Sequence, residues 1–266
     1  MFQSAITPAQ GIELGPVALA LTVALVAWLV VGEAVSGRIS FRRFLADLAA
    51  GVPDARRKLY LGWSRWSWMM AAGVLLLAMS SPGFGLERLG IAWPRWSSLA
   101  EASAGSSFVK GLLIGMVLMI VVSIVAGAIA VNRMRKADGT GAPAAANDAV
   151  AALLPTTTGE RRGYAFLSLT AGVTEEITQR GFLLAAMVAL LPPMPALAYI
   201  LIGGAVFGLG HAYQGRSGVV ATGLIGALFM GIYLATGSLL IPIVLHVLMD
   251  LNGLRVPLAR DTPAGD

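Results

Sequence analysis

The chain is organised by long apolar runs separated by shorter polar stretches rich in arginine. A helix needs about 17 residues to cross a ~30 Å hydrocarbon core. Against that measure, seven candidate helices are read. The first runs from about Leu14 to Val35. The second follows Trp63, Trp66 and Trp68, placed like an interfacial belt, and ends near Met79. The third covers about Ser107 to Val131, and the fourth about Gly163 to Leu191, where Pro192-Pro193 stops it. The fifth goes from about Pro195 to Gly210, the sixth from Gly218 to Thr236 and the seventh from Ser238 to Leu254. The last three are short and glycine-rich, so their ends are the least defined. Barrel strands would alternate apolar and polar residues, and these runs do not. The pattern predicts an all-α polytopic helical bundle.

Two polar stretches have a character of their own. Residues 36–62 mix arginine with Phe41, Phe44, Leu45 and Leu48, a pattern suited to lying along the membrane surface. Residues 138–159 are rich in Ala, Gly, Pro and Thr, with no periodic apolar face. The organisation predicted is a three-span region over 1–137, a cytoplasmic linker over 138–160 and a four-span, motif-bearing region over 161–266.

Composition narrows the class. Of the 266 residues, 57 % are apolar and 12 % charged, and mean hydropathy is +0.77. A soluble domain carries about 25 % charged residues, so a globular enzyme is excluded. Cysteine is absent, which removes disulfides, thiolate catalysis and zinc–thiolate sites. The formal charge of +5 is no nucleic-acid signal, because the cations sit in a few loops. The first run lacks a preceding cationic region and a following small-residue cleavage site, and is expected to stay as a span.

The cations also predict orientation. Fifteen fall in the loops after spans one, three, five and seven, from Arg38 to Arg260, and only Arg88 and Arg95 in loops of the opposite side. The positive-inside rule puts the first set in the cytoplasm, with the N-terminus outside and the C-terminus inside. Three lysines against sixteen arginines point to a bacterial source of high GC content, hence the inner (plasma) membrane.

Ionisable groups within such helices cost roughly 2.5–3.5 kcal/mol each near the centre, so they are rarely idle. Span four carries Glu175, Glu176 and Arg180. Glu176 and Arg180, four apart, share a helix face and can pair, while Glu175 lies about 100° away and can face a cavity. Phe207 and His211 stack near the end of span five, and His246 and Asp250 form an i,i+4 pair on span seven. His211 is shallower than the others and needs a polar turn or a tilted span to meet them. A glutamate with a histidine can activate a water, and a second imidazole with Asp250 can serve an oxyanion. This is equipment for peptide-bond hydrolysis. The same groups could bind zinc, through Glu175, His211 and His246. The HExxH and GxSxG motifs are absent. Arg180 would compete with a cation for the carboxylates, so no cofactor is expected.

The order EExxxR, FxxxH and HxxxD/N on separate spans resembles the CAAX-prenyl-protease-like family, also called the ABI or CPBP family of intramembrane glutamate proteases. The resemblance covers about residues 160–254. It implies that Glu175 is the water-activating base with His211, that Glu176 and Arg180 organise the site, and that His246 and Asp250 stabilise the oxyanion. Asp250 stands where eukaryotic members have Asn. The function expected is an intramembrane endopeptidase acting on a membrane-associated protein or peptide within the bilayer, near its cytoplasmic half. The alternatives are a non-catalytic bacteriocin-immunity or scaffold protein, since family members are linked to self-immunity, and an ion-coupled transporter, which internal repeats would support and none is seen.

Overall fold

The first helix runs on well beyond its apolar stretch. In a computed structural model, which describes residues 14–81, 84–96 and 148–255 together with Gly111 and Gly115, Pro16–Ala49 is one continuous 34-residue helix. It consists of α1 (Pro16–Ala27), a wide π-helical turn (Trp28–Gly32) and α2 (Glu33–Ala49). At 1.5 Å per residue it is about 51 Å long, well over the ~30 Å of a hydrocarbon core. The stretch 36–62 is therefore not a separate surface segment. Residues 36–49 complete the first helix, and 55–62 open α3 (Ala55–Ser80). The physical reason is a better partner than a lipid surface: Phe41 and Phe44 pack against Ala55 and Leu59 in a buried cluster. Trp63 Nε1 also donates to Ser40 Oγ at 3.1 Å. The tryptophan cluster thus lies inside a helix rather than at its start.

The expected third span, about Ser107 to Val131, lies outside the described residues, as do residues 138–147 of the expected linker. The remainder of that linker is partly ordered as α4 (Asp148–Leu153). Its Ala149, Ala152 and Leu153 join the Phe41–Phe44 cluster. Arg56 donates to the Ala152 carbonyl at 3.1 Å and Tyr60 to the Leu153 carbonyl at 2.5 Å. These tertiary contacts order a sequence that has no helical periodicity of its own.

α5 (Thr158–Glu176) begins with a capping box, in which Thr157 Oγ1 accepts from the Glu160 N–H and the Glu160 carboxylate accepts from the Thr157 N–H. Partial burial works against the charge of Glu160. Hydrogen bonds from Thr156 and Thr157 and the nearby Arg56 outweigh it and hold the carboxyl below the usual carboxylate range. A second wide turn, Ile177–Phe182, leads into α6 (Leu183–Leu190). Then follow α7 (Ala196–Gly210), a 3-10 turn (Ala212–Gln214), α8 (Gly215–Thr236), and α9 (Leu240–Leu251) with a final 3-10 turn (Asn252–Arg255). No strand occurs among the described residues.

Small residues bring these helices together. A Cβ on Gly204 would meet the Gly223 carbonyl and Ala227, and one on Gly208 the Val219 carbonyl and the Gly223 Cα, so α7 and α8 pack almost backbone to backbone. A Cβ on Gly172 would run into the side chain and backbone of Val247, which sets α5 equally close to α9. The core lies beside the second wide turn, with Phe182, Leu183, Ala186, Met230 and Leu239 at its centre. Two described helices, Pro16–Ala49 and Ala212–Thr236, are long and apolar enough to cross a membrane, and Ala196–Gly210 is a shorter apolar helix.

Candidate active site

The polar side chains singled out from the sequence converge around the junction of α5 and the second wide turn. Glu176 ends α5 and is wholly buried, and Arg180, inside the turn, is 1 % exposed. Arg180 Nη1 lies 2.9 Å from Glu176 Oε1. That is an ion-pair distance, although neither Nη directs an N–H at an acceptor. The charge attraction depends on the separation and survives this misalignment. The guanidinium carbon also sits 4.0 Å from the centroid of the Phe207 ring and 5.4 Å from that of Phe229. Arg180 is thus enclosed between one carboxylate and two aromatic faces.

His246 reaches this pair from α9. Its Nδ1 is 2.7 Å from Glu176 Oε1. A carboxylate accepts, so Nδ1 carries the hydrogen and Nε2 is left for other work. That Nε2 lies 3.9 Å from Glu175 Oε2 and 3.9 Å from Asp250 Oδ2. Both are too long for hydrogen bonds. The expected i,i+4 neighbours His246 and Asp250 thus meet at ion-pair distance through Nε2, while the tighter hydrogen bond is the one from Nδ1 to Glu176. The Asp250 carbonyl accepts from Tyr164 of α5 at 3.2 Å, which fastens α9 on the other side.

His211 caps α7. Its Nδ1 is 2.9 Å from the Phe207 carbonyl, which can only accept, so Nε2 carries the free lone pair. The 3-10 turn that follows bends the chain away. The His211 ring lies 4.5 Å from that of Phe207, whose face covers Arg180, so His211 adjoins the buried group. The Phe207 ring stands between the two imidazoles, 4.5 Å from His211 and 6.0 Å from His246. Tyr213, with its ring 5.9 Å from that of His211, also lines a cavity of about 390 Å³ with Arg38, Phe41 and Arg42.

Seven described buried side-chain polar atoms have no hydrogen-bond partner. Five of them are Glu175 Oε2, Glu176 Oε2, Gln179 Oε1 and both Nη atoms of Arg180. Unsatisfied groups are rare in folded interiors and concentrate where something else binds. No three described His, Asp or Glu side chains are placed to hold a metal. Glu176 and one nitrogen of each histidine are already engaged.

Two participants escaped the sequence reading. Gln179 Nε2 donates to Glu33 Oε2 at 2.5 Å, which brings the first helix into the site. The signal for Glu33 was present, since it is a lone carboxylate near the end of an apolar run. Gln179 stands inside the EExxxR stretch at a position its motif leaves open.

Residues 161–252 match the family model described as type II CAAX prenyl endopeptidase Rce1-like. The motif-bearing part of the chain is thus similar to a family of membrane proteases, as the resemblance of its three motifs implied. No curated protein and no solved structure matches.

Proposed function

We propose that this protein is an intramembrane endopeptidase that hydrolyses a peptide bond of a membrane-associated substrate with a carboxylate-activated water. The observation that carries the reading is the pairing of a buried, unbonded Glu175 Oε2 with a free His246 Nε2, beside a Glu176 already neutralised by Arg180. A structural ion pair needs one carboxylate, and here a second is left over. Glu175, helped by His211, takes a proton from water as its oxygen bonds to the scissile carbonyl carbon. His246, protonated on both nitrogens, gives Nδ1–H to Glu176 and Nε2–H to the oxyanion. The C–N bond then breaks, and the leaving amine takes the proton held by Glu175. Asp250, 3.9 Å from Nε2, faces the charge that this imidazole carries. Arg180 lies against the same Glu176 oxygen that accepts from His246 and balances its charge.

The same reading makes the chain a multi-pass protein of about seven spans in the inner membrane, with its N-terminus outside and its C-terminus in the cytoplasm. The arginine distribution supports this. Reporter fusions at about residues 50, 90, 145 and 266 are expected to read cytoplasmic, external, cytoplasmic and cytoplasmic. An external reading at 145 would overturn the assignment of every catalytic span.

No metal takes part in this mechanism. The test uses protein reconstituted in lipid vesicles with a pool of internally quenched apolar peptides. Cleavage into two fragments that together gain one water is expected, and it should survive a strong chelator. Activity lost on chelation and restored by zinc would assign Glu175, His211 and His246 as ligands instead. Peptides left intact by fully folded protein would favour a binding or immunity role.

A further inference from the structure

Gln179 is 2 % exposed, and only one end of its amide is bonded. Nε2 donates to Glu33 Oε2 at 2.5 Å, whereas Oε1 has no partner among the described residues. With Nε2 on Glu33, the amide oxygen is turned the opposite way, where no described donor meets it.

Glu33 is itself held in place. A Cβ on Gly210 would come within 3.2 Å of Glu33 Oε2, so α7 closes against that carboxylate immediately before His211. Gln179 follows Glu175 by four residues, one turn along the same helix.

A buried carbonyl-type acceptor without a donor is costly, and it gains what it lacks when a donor arrives. A peptide laid beside Glu175 supplies one, because every residue except proline carries a main-chain N–H. We infer that Gln179 Oε1 accepts a main-chain N–H of the peptide substrate, with Glu33 as the positioning residue that keeps the amide facing it. This rests on the peptidase reading. It makes one position near the scissile bond intolerant of proline, whatever the side-chain preference of the neighbouring positions.

The test is an ester scan read by binding. The protein carries Glu175→Ala so that peptides stay intact, and it is reconstituted in vesicles. The probe is a dye-labelled apolar peptide, with analogues in which single N–H groups are replaced by ester oxygen, followed by fluorescence anisotropy. One ester position is expected to weaken binding about 3–10-fold, the value of one hydrogen bond. Adding Gln179→Met should weaken binding of the all-amide peptide and abolish the penalty at that position alone. Adding Glu33→Gln should shrink the same penalty, because the introduced amide can donate to Oε1 in place of the substrate. Circular dichroism checks that each variant is folded, and the milder Glu33→Gln serves if Gln179→Met is not. An ester profile unchanged by either substitution, or no peptide binding at all, overturns the inference and leaves water as the partner of Oε1. Hydrolysis by the unaltered chain is measured separately. An ester effect without hydrolysis would end the peptidase reading but keep this peptide contact. Hydrolysis without an ester effect would do the reverse.

Discussion

Glu175→Gln is expected to cut peptide hydrolysis about 10²–10⁴-fold, the usual loss when a general base is removed. Gln keeps the size and much of the polarity of the side chain but cannot take a proton from water. The loss should fall on kcat, since the carboxylate does its work as the proton moves and not when the substrate docks. Glu176 and Arg180 are untouched by the change, so thermal unfolding in detergent should stay within a few degrees of the unaltered protein. His211→Ala should approach the same loss, because its free Nε2 is aimed away from the Phe207 carbonyl that holds Nδ1. A time course of quenched-peptide cleavage, with purified protein in vesicles, decides the matter. Cleavage within a few-fold of normal by Glu175→Gln would remove the base role and with it the proposed mechanism.

Arg180→Met should instead damage the fold. The guanidinium is the cation beside a fully buried Glu176, and its loss leaves His246 as that carboxylate's remaining described partner. Breaking one half of a buried pair typically costs about 3–5 kcal/mol, because the other charge stays behind. A drop of many degrees in the unfolding temperature is the expected result. The double substitution Glu176→Gln with Arg180→Met should recover much of that loss, since replacing both partners removes the stranded charge. Such a double variant would be folded yet inactive, because His246 would lose the carboxylate that holds its Nδ1. If Arg180→Met alone unfolds at the normal temperature, the pair is not the anchor described.

Most of the described helices were readable from apolar run lengths, because an uninterrupted apolar run without helix breakers is a strong helix signal. Pro192-Pro193 stops α6 close to the expected boundary, and the helix expected from Pro195 begins at Ala196. The Glu176–Arg180 pair was readable too, since i,i+4 geometry is set by the helix alone. The convergence of the three motifs was legible as well, but the choice of bonding partner between helices was not. His246 lies at ion-pair distance from Asp250 four residues on, as expected, but its hydrogen bond goes to Glu176, 70 positions earlier. Local spacing shows what can meet on one helix and is silent about a stronger acceptor on another. Glu33 was missed for a related reason. It lies far outside the matched residues 161–252, and its role appears only when α2 is packed against the wide turn. The amphipathic reading of residues 36–62 failed because periodicity reveals an apolar face but not whether lipid or another helix will cover it.

Both partners of the Glu33–Gln179 bond belong to places where the helix briefly widens: Glu33 directly follows Trp28–Gly32, and Gln179 lies within Ile177–Phe182. A wide turn is how an α-helix absorbs one surplus residue without rotating all that follows by about 100°. Each helix therefore carries a small stock of spare chain at the depth where the chemistry sits. In evolutionary terms, gain or loss of function here need not pass through substitution at all. A single codon deleted from either turn could restore a regular helix, keep the flanking faces in phase with their neighbours, and withdraw one polar arm from the site. On the peptidase reading, a descendant that keeps the fold and loses the reaction is one short deletion away.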